Sequence, residues 1–518
     1  MSDVTTIEAD VPERYADAVA ARLQKAADED VVSRIWRKDG TLWAPEGTPE
    51  VTNRLGWLDI AERARDQLAD LDRLRDELES AGFTDAVVLG MGGSSLAPEV
   101  FRQSFGRQAS GLTLHVLDST HPDQVRTVMD GLDLSKTLAI VSSKSGGTVE
   151  PMSMYKAFRA RMDADHFVAV TDPGTSLEKL ANDDGFRKVF YGDPDIGGRY
   201  SALSMFGLVP AAVAGFDVAG VLDSAIGAGE ECRQEHGNAG LTLGCIFGEL
   251  ARQGRDKLTL VADAPLTSYG LWAEQLVAES TGKQGRGILP IADEPLVREY
   301  GDDRVFVHVA TQDNTHADQL AQLNEAGHPV ITIRALGPTD LGRIFFLSEF
   351  AVAVAGWALE INPFDQPNVQ EAKDNTNRVL KEGSPGLSEG SLSDLTTDLA
   401  PPHYFAIMGY LPYRAETEQA IGALREAIVE KYKVATTWGY GPRFLHSTGQ
   451  LHKGGPKTGR FLQLVDEPAQ DLEIPGEPYT FGTLIRAQAD GDLQTLRDHG
   501  LTAVRVVVGD IDEIKEQL

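Results

Sequence analysis

The chain is poor in cysteine and short of positive charge. Only Cys232 and Cys245 occur in 518 residues, with no His or Cys at ligand spacing beside them. This excludes a cysteine-built zinc cluster and a disulfide framework, and both thiols are expected as small buried side chains. Lys and Arg total 48 against 78 Asp and Glu, a formal net charge of −30. Such a surface repels nucleic acid and anionic lipid unless a basic run opposes it, and the sequence has none. Long apolar runs are missing too: residues 344–359 are interrupted by Ser348 and Glu349 and fall short of a bilayer span. Neither a nucleic-acid nor a membrane partner is expected. The first fifteen residues are acidic, without a basic n-region or an apolar h-region, so a cytoplasmic location is expected.

What is present suits a large folded enzyme, with 42% hydrophobic residues and length for about two to four domains. Residues 1–80 read as a helical cap, with Leu68, Leu71, Leu74 and Leu78 on one face of a helix from Ile60 to Leu78. From Asp85, short continuous apolar runs (86–89, 112–117, 138–141, 167–170) alternate with helical segments. Such strands form a parallel sheet covered on both faces. After a helical bridge over 201–250, the pattern repeats at 258–261, 305–309 and 330–333, followed by a helix from Leu341 to Leu359. The fold class is α/β with two doubly wound parallel sheets, a first unit over 81–240 and a second over 241–382. Residues 383–518 begin with a Gly/Ser/Pro/Asp-rich linker and carry a helix, a glycine-rich stretch around His446 and a short α/β tail.

The strongest motif is Ser143-Lys144-Ser145-Gly146-Gly147-Thr148, between the apolar run 138–141 and a helical segment. A strand ending in hydroxyls and glycines before a helix aims backbone N–H groups and a helix dipole at one point, a seat for phosphate. It lacks the Walker spacing, so a phosphomonoester fits better than ATP. Gly90-Met91-Gly92-Gly93-Ser94 ends the first strand of the same sheet in a second tight turn. It lacks the third glycine of the dinucleotide fingerprint, so both loops point to one crevice rather than to a cofactor.

Arg199 follows Gly197 and Gly198, placed to meet developing negative charge, although an isolated loop Arg reads equally as exposed. Gln275 and Glu279 lie at i and i+4 on one face of an apolar helix, and Glu is the residue type for proton abstraction beside a carbonyl. Asp365 to Lys373 opens a helix after Pro367 and brings Lys373 near its start. His446 and His452 sit in a glycine-flanked stretch; their i, i+6 spacing is poor for metal, whereas a loop His suits proton transfer near neutral pH.

Together these motifs resemble the glucose-6-phosphate isomerase family: Gly90–Ser94 (G-I-G-G-S), Ser143–Glu150 (S-K-T-x-T-T-x-E), Gly198–Ser201 (G-R-x-S), Gln275–Lys283 (Q-L-x-x-E-S-x-G-K) and Asp365–Lys373 (D-Q-x-x-V-x-x-x-K), in family order. Gly146-Gly147 replaces bulkier residues of the phosphate loop. The family's histidine string stands after Lys373 rather than before it, an order that resembles the isomerase half of fused transaldolase and isomerase proteins. The resemblance implies two sugar-isomerase (SIS) domains and a glycolytic and gluconeogenic aldose-ketose isomerase acting through a cis-enediol, without metal or redox cofactor. It implies catalytic roles for Glu279 (base), Arg199 (enediolate), and Lys373 and His446 (ring opening). Gly93, Ser94, Ser143, Lys144, Ser145, Thr148, Gly198, Gln275 and Gln366 are implied to bind the sugar phosphate, in a homodimer. His316, between Glu279 and Lys373, remains the alternative ring-opening residue, against a reading as part of a helix start. A mannose-6-phosphate or dual-specificity isomerase and a non-catalytic sugar-phosphate-binding protein are the competing functions; the second needs the phosphate loop but neither Arg199 nor Glu279.

Overall fold

The computed structural model describes residues 7–383, 386, 390–508 and 511–517, without the side chains of 369, 370, 372, 373, 512, 513 and 517. Its first strand, β1 (Ile7–Asp10), is followed by the helices Glu13–Asp28, Val31–Trp36, Ile60–Arg65 and Leu68–Ser80. The single helix expected over 60–78 is thus two, and Leu71, Leu74 and Leu78 are the buried face of the second.

The first sheet holds β2 (Asp85–Leu89), β3 (Thr113–Leu117), β4 (Thr137–Ser142), β5 (Phe167–Thr171) and β6 (Lys188–Tyr191), all parallel, in the order β3-β2-β4-β5-β6. Every residue of β4 is buried, as a strand covered by helices on both faces requires. The chain steps from β2 to β3 in one direction and from β4 through β5 to β6 in the other. The order therefore reverses between β2 and β4, and a crevice opens beyond their carboxyl ends.

The second sheet contains β7 (Lys257–Ala262), β8 (Leu289–Ala292), β9 (Arg304–Ala310) and β10 (Val330–Arg334), in the order β1-β10-β9-β7-β8. Its reversal lies between β7 and β9. β1 closes its edge, antiparallel to β10 with Ile7 opposite Ile333 and Asp10 opposite Val330. Residues 7–10 are therefore extended within a segment expected to be helical, because they take their hydrogen bonds from a distant strand.

A third parallel sheet follows: β11 (Tyr404–Tyr410), β12 (Ala435–Tyr440), β13 (Gly459–Val465) and β14 (Thr502–Val507), in the order β12-β11-β13-β14. It is larger than the short tail read from the sequence. β12 carries the polar pair Thr436 and Thr437, buried because Arg425 and Glu294 bond to Thr436.

The helix Leu341–Leu359 runs through the main core, against the helices Val218–Cys232 and Ala239–Arg252. By length and composition it could cross a membrane, but 89% of its apolar window is buried inside the protein. It is a core helix. Cys232 and Cys245 are free and buried in the same layer.

Candidate active site

The crevice of the first sheet is built by two turns that only glycine permits. Gly92 has φ +55°, and a Cβ there would stand 2.9 Å from both Gln275 Nε2 and the His446 carbonyl; a Cβ on Gly93 would collide with the Gly198 carbonyl. The β2 turn is thus clamped against the loop of Arg199, the helix Tyr269–Thr281 and the His446 loop. Beyond β4, Gly146 has φ +70° and faces Thr175. Thr148 is the N-cap of the helix Val149–Arg159, yet its hydroxyl caps none of that helix's N–H groups. It accepts the Ser143 hydroxyl at 3.1 Å and lies 3.4 Å from Ser145 Oγ. Three hydroxyls and a helix N-terminus converge there, as an anion seat requires. The Lys144 ammonium is engaged by Asp172 and by the Asp193 carbonyl at 3.2 Å.

Opposite the seat, Arg199 is 1% exposed. Its guanidinium donates to Ser280 Oγ at 2.7 Å, Gln366 Oε1 at 2.8 Å, and the Pro363 and Asp365 carbonyls at 2.7 and 3.1 Å. These bonds fix the fork with Nη1 3.7 Å from Glu279 Oε2. Gln275, one helical turn before Glu279, donates to the same carboxylate oxygen at 3.1 Å. The carboxylate is therefore buried, oriented and paired with a cation it does not fully bind. Behind them Lys283 donates to both the carbonyl and the carboxylate of Asp365 at 2.6 Å. Burial and the Arg199 charge pull its ammonium down to about 8.

His446 enters from the turn after β12. Its Nε2 lies 2.9 Å from Glu150 Oε1, which also accepts Gln488 Nε2 at 2.8 Å. Glu150 is 4% exposed, so the imidazole is held by a buried carboxylate that selects its tautomer.

Between these segments lies one cavity of about 360 Å³. Arg199, Glu279, Gln275, Gln366 and His446 form part of its wall. Gly93, Ser94 and Gly198, with Ser143, Lys144, Ser145 and Thr148, form the rest of the predicted set apart from Lys373. Lys373 belongs to the helix Pro367–Glu382, but its side chain lies outside the described residues. His316 does not line the cavity; it stands on the second sheet against Asp263. His452 is buried, stacked on Tyr404 and pulled down to about 3 by burial and Lys453. Sequence reasoning missed Arg54, which also lines the cavity, and Gln488. It assigned no role to Glu150 or Lys283, although both stood inside the quoted motifs.

Parallel α/β sheets with a hydroxyl-lined anion seat facing a buried Glu–Arg pair suit a phosphosugar isomerase. Residues 77–283 match the family model for phosphoglucose isomerase. It is 28% identical to the glucose-6-phosphate isomerase of Citrifermentans bemidjiense over 455 residues, covering 73% of this chain and 83% of the relative. A crystal structure from Thermus thermophilus, described as a hypothetical protein, is similar at TM-score 0.62 and 25% identity, over 72% of this chain and 99% of that one. A glucose-6-phosphate isomerase from Chlamydia trachomatis shares the fold at TM-score 0.58 and 19% identity, over 70% of this chain and 86% of the other.

Proposed function

We propose that this chain interconverts D-glucose 6-phosphate and D-fructose 6-phosphate, the aldose-ketose step shared by glycolysis and gluconeogenesis. One observation carries the reading: a buried Glu279 carboxylate, 3.7 Å from a fixed Arg199 guanidinium, shares a cavity with a three-hydroxyl anion seat. A binding protein needs the seat alone.

Ser143, Ser145 and Thr148 hold the phosphate at the start of the helix Val149–Arg159. Glu279 takes the proton from C2 of the open aldose and returns it to C1, and the reverse reaction retraces these steps. Negative charge grows on the enediolate oxygens between the two transfers. Arg199 meets it without reorganising, since four bonds already fix its fork. Ring opening requires an acid and a base at the ring oxygen and the C1 hydroxyl. Lys373 and His446 take these roles, and Glu150 keeps the imidazole aimed. His446 is preferred to His316 because it lines the cavity and His316 does not. The enzyme works in the cytoplasm as a homodimer, without a nucleic-acid or membrane partner.

The test is a coupled assay of fructose 6-phosphate beside mannose 6-phosphate, on wild type and Glu279→Gln. Turnover restricted to the glucose/fructose pair and lost in the variant supports the reading. Equal turnover of mannose 6-phosphate assigns a dual-specificity enzyme, and phosphosugar binding without turnover by wild type assigns a sensor.

A further inference from the structure

The second sheet has a crevice of its own, where its strand order reverses between β7 and β9. Asp263 directly follows β7, His308 lies near the end of β9, and His316 immediately precedes the helix Ala317–Glu325. Asp263 is fully buried and His308 is 2% exposed. His316 Nδ1 lies 2.8 Å from Asp263 Oδ1, and His308 Nε2 lies 3.2 Å from Oδ2. One donor atom from each residue falls within 4.8 Å of the other two. Donors arranged tetrahedrally about zinc at about 2.0–2.1 Å lie roughly 3.3 Å apart, and the 3.2 Å between His308 Nε2 and Asp263 Oδ2 is close to this.

A further observation points to a ligand. His308 Nε2 is buried without a hydrogen-bond partner among the described residues, because it stands outside bonding geometry to Asp263. Such orphaned nitrogens are rare in folded interiors. The positive charge nearby, Arg334, is paired with Glu8 at 2.9 Å.

We propose that Asp263, His308 and His316 bind one divalent transition-metal ion, with zinc(II) the species best suited to two imidazoles and a carboxylate. Zinc accepts three protein ligands with a fourth position left for water or an anion. The His316 side chain, 34% exposed, gives the ion a route in from solvent. None of the three residues lines the isomerase cavity. The ion ties the loop 311–316 to the ends of β7 and β9 and takes no part in proton transfer.

The test is titration of chelator-stripped protein with zinc chloride alone, read by calorimetry, and with cobalt(II), read by its visible absorption. Wild type should take up one equivalent. His316→Ala, on the half-exposed side and expected to fold, should lose at least tenfold in affinity, as should Asp263→Asn and His308→Gln. His446→Ala should bind as wild type does, which separates this site from the isomerase cavity. No uptake by wild type, or uptake unchanged in His316→Ala and His308→Gln, overturns the proposal and leaves the cluster as a hydrogen-bonded bracket.

Discussion

The first and second sheets reverse their strand order at corresponding places, yet the two crevices present opposite chemistry. Beyond β2 and β4 stand glycines, hydroxyls and a buried arginine, which suit an anion. At the ends of β7 and β9 stand a carboxylate and two imidazoles, which suit a cation. The sheet decides only where a ligand can sit. The residues at and just past the strand ends suit its charge: glycine lets backbone N–H groups reach the ligand, whereas Asp263 and His308 fill the equivalent space with donor side chains. The same architecture thus hosts unrelated sites.

If the first crevice alone carries the chemistry, Glu279→Gln should lower kcat by a factor on the order of 10⁴, the upper range for a general base. Sugar-phosphate binding should survive, since the isostere keeps the Gln275 contact. Proton exchange at C2 that continues at the wild-type rate would move the base elsewhere. Next in size, His446→Ala should slow the cyclic hexose phosphate on the order of 10²-fold, while an acyclic aldose phosphate is nearly spared. Equal losses on both substrates would place His446 in the enediol step.

A smaller effect sharpens the seat itself. Ser145→Ala with Thr148→Ala should raise KM for fructose 6-phosphate roughly tenfold or more, as expected for lost hydrogen bonds to a charged group, with kcat less affected. A fall in Tm without a change in KM would reduce these hydroxyls to a structural role.

The smallest effect concerns Lys283. Its folded-state value of about 8 lies below the value of about 10.4 for an unfolded chain. Between the two, the unfolded chain binds more protons, so this group makes stability rise with pH across the window; below about 8 its burial penalty is present in full. Lys283→Met should remove that rise. Urea melts taken below, within and above the window measure it, and parallel pH profiles for wild type and variant would contradict it.

Legibility in the sequence followed the reach of the interactions. β2, β4 and β5 stood out as continuous apolar runs because helices cover both faces. β8 did not, since Pro290 sits within it and is tolerated only because β8 is an edge strand. Nor did β12, whose Thr436 is buried between Arg425 of the preceding helix and Glu294 of the second unit. The phosphate seat and the Gln275–Glu279 pair were readable because each lies in one short segment. The contacts from Glu150 to His446 and Gln488, and from Lys283 to Asp365, join segments far apart in the chain. No local spacing announces them. The same holds for Asp263, His308 and His316, which reach one point from two strand ends and a helix start.

The four residues of β1 matter beyond their size. They occupy the row of N–H and C=O groups that β10 would otherwise turn outward, and an open strand edge is a template on which another chain can build. Removing residues 1–10 would leave a parallel sheet with an adhesive border while leaving both crevices in place. The failure would then show in handling rather than in catalysis: full specific activity in dilute solution, with higher-order assembly that grows steeply with concentration.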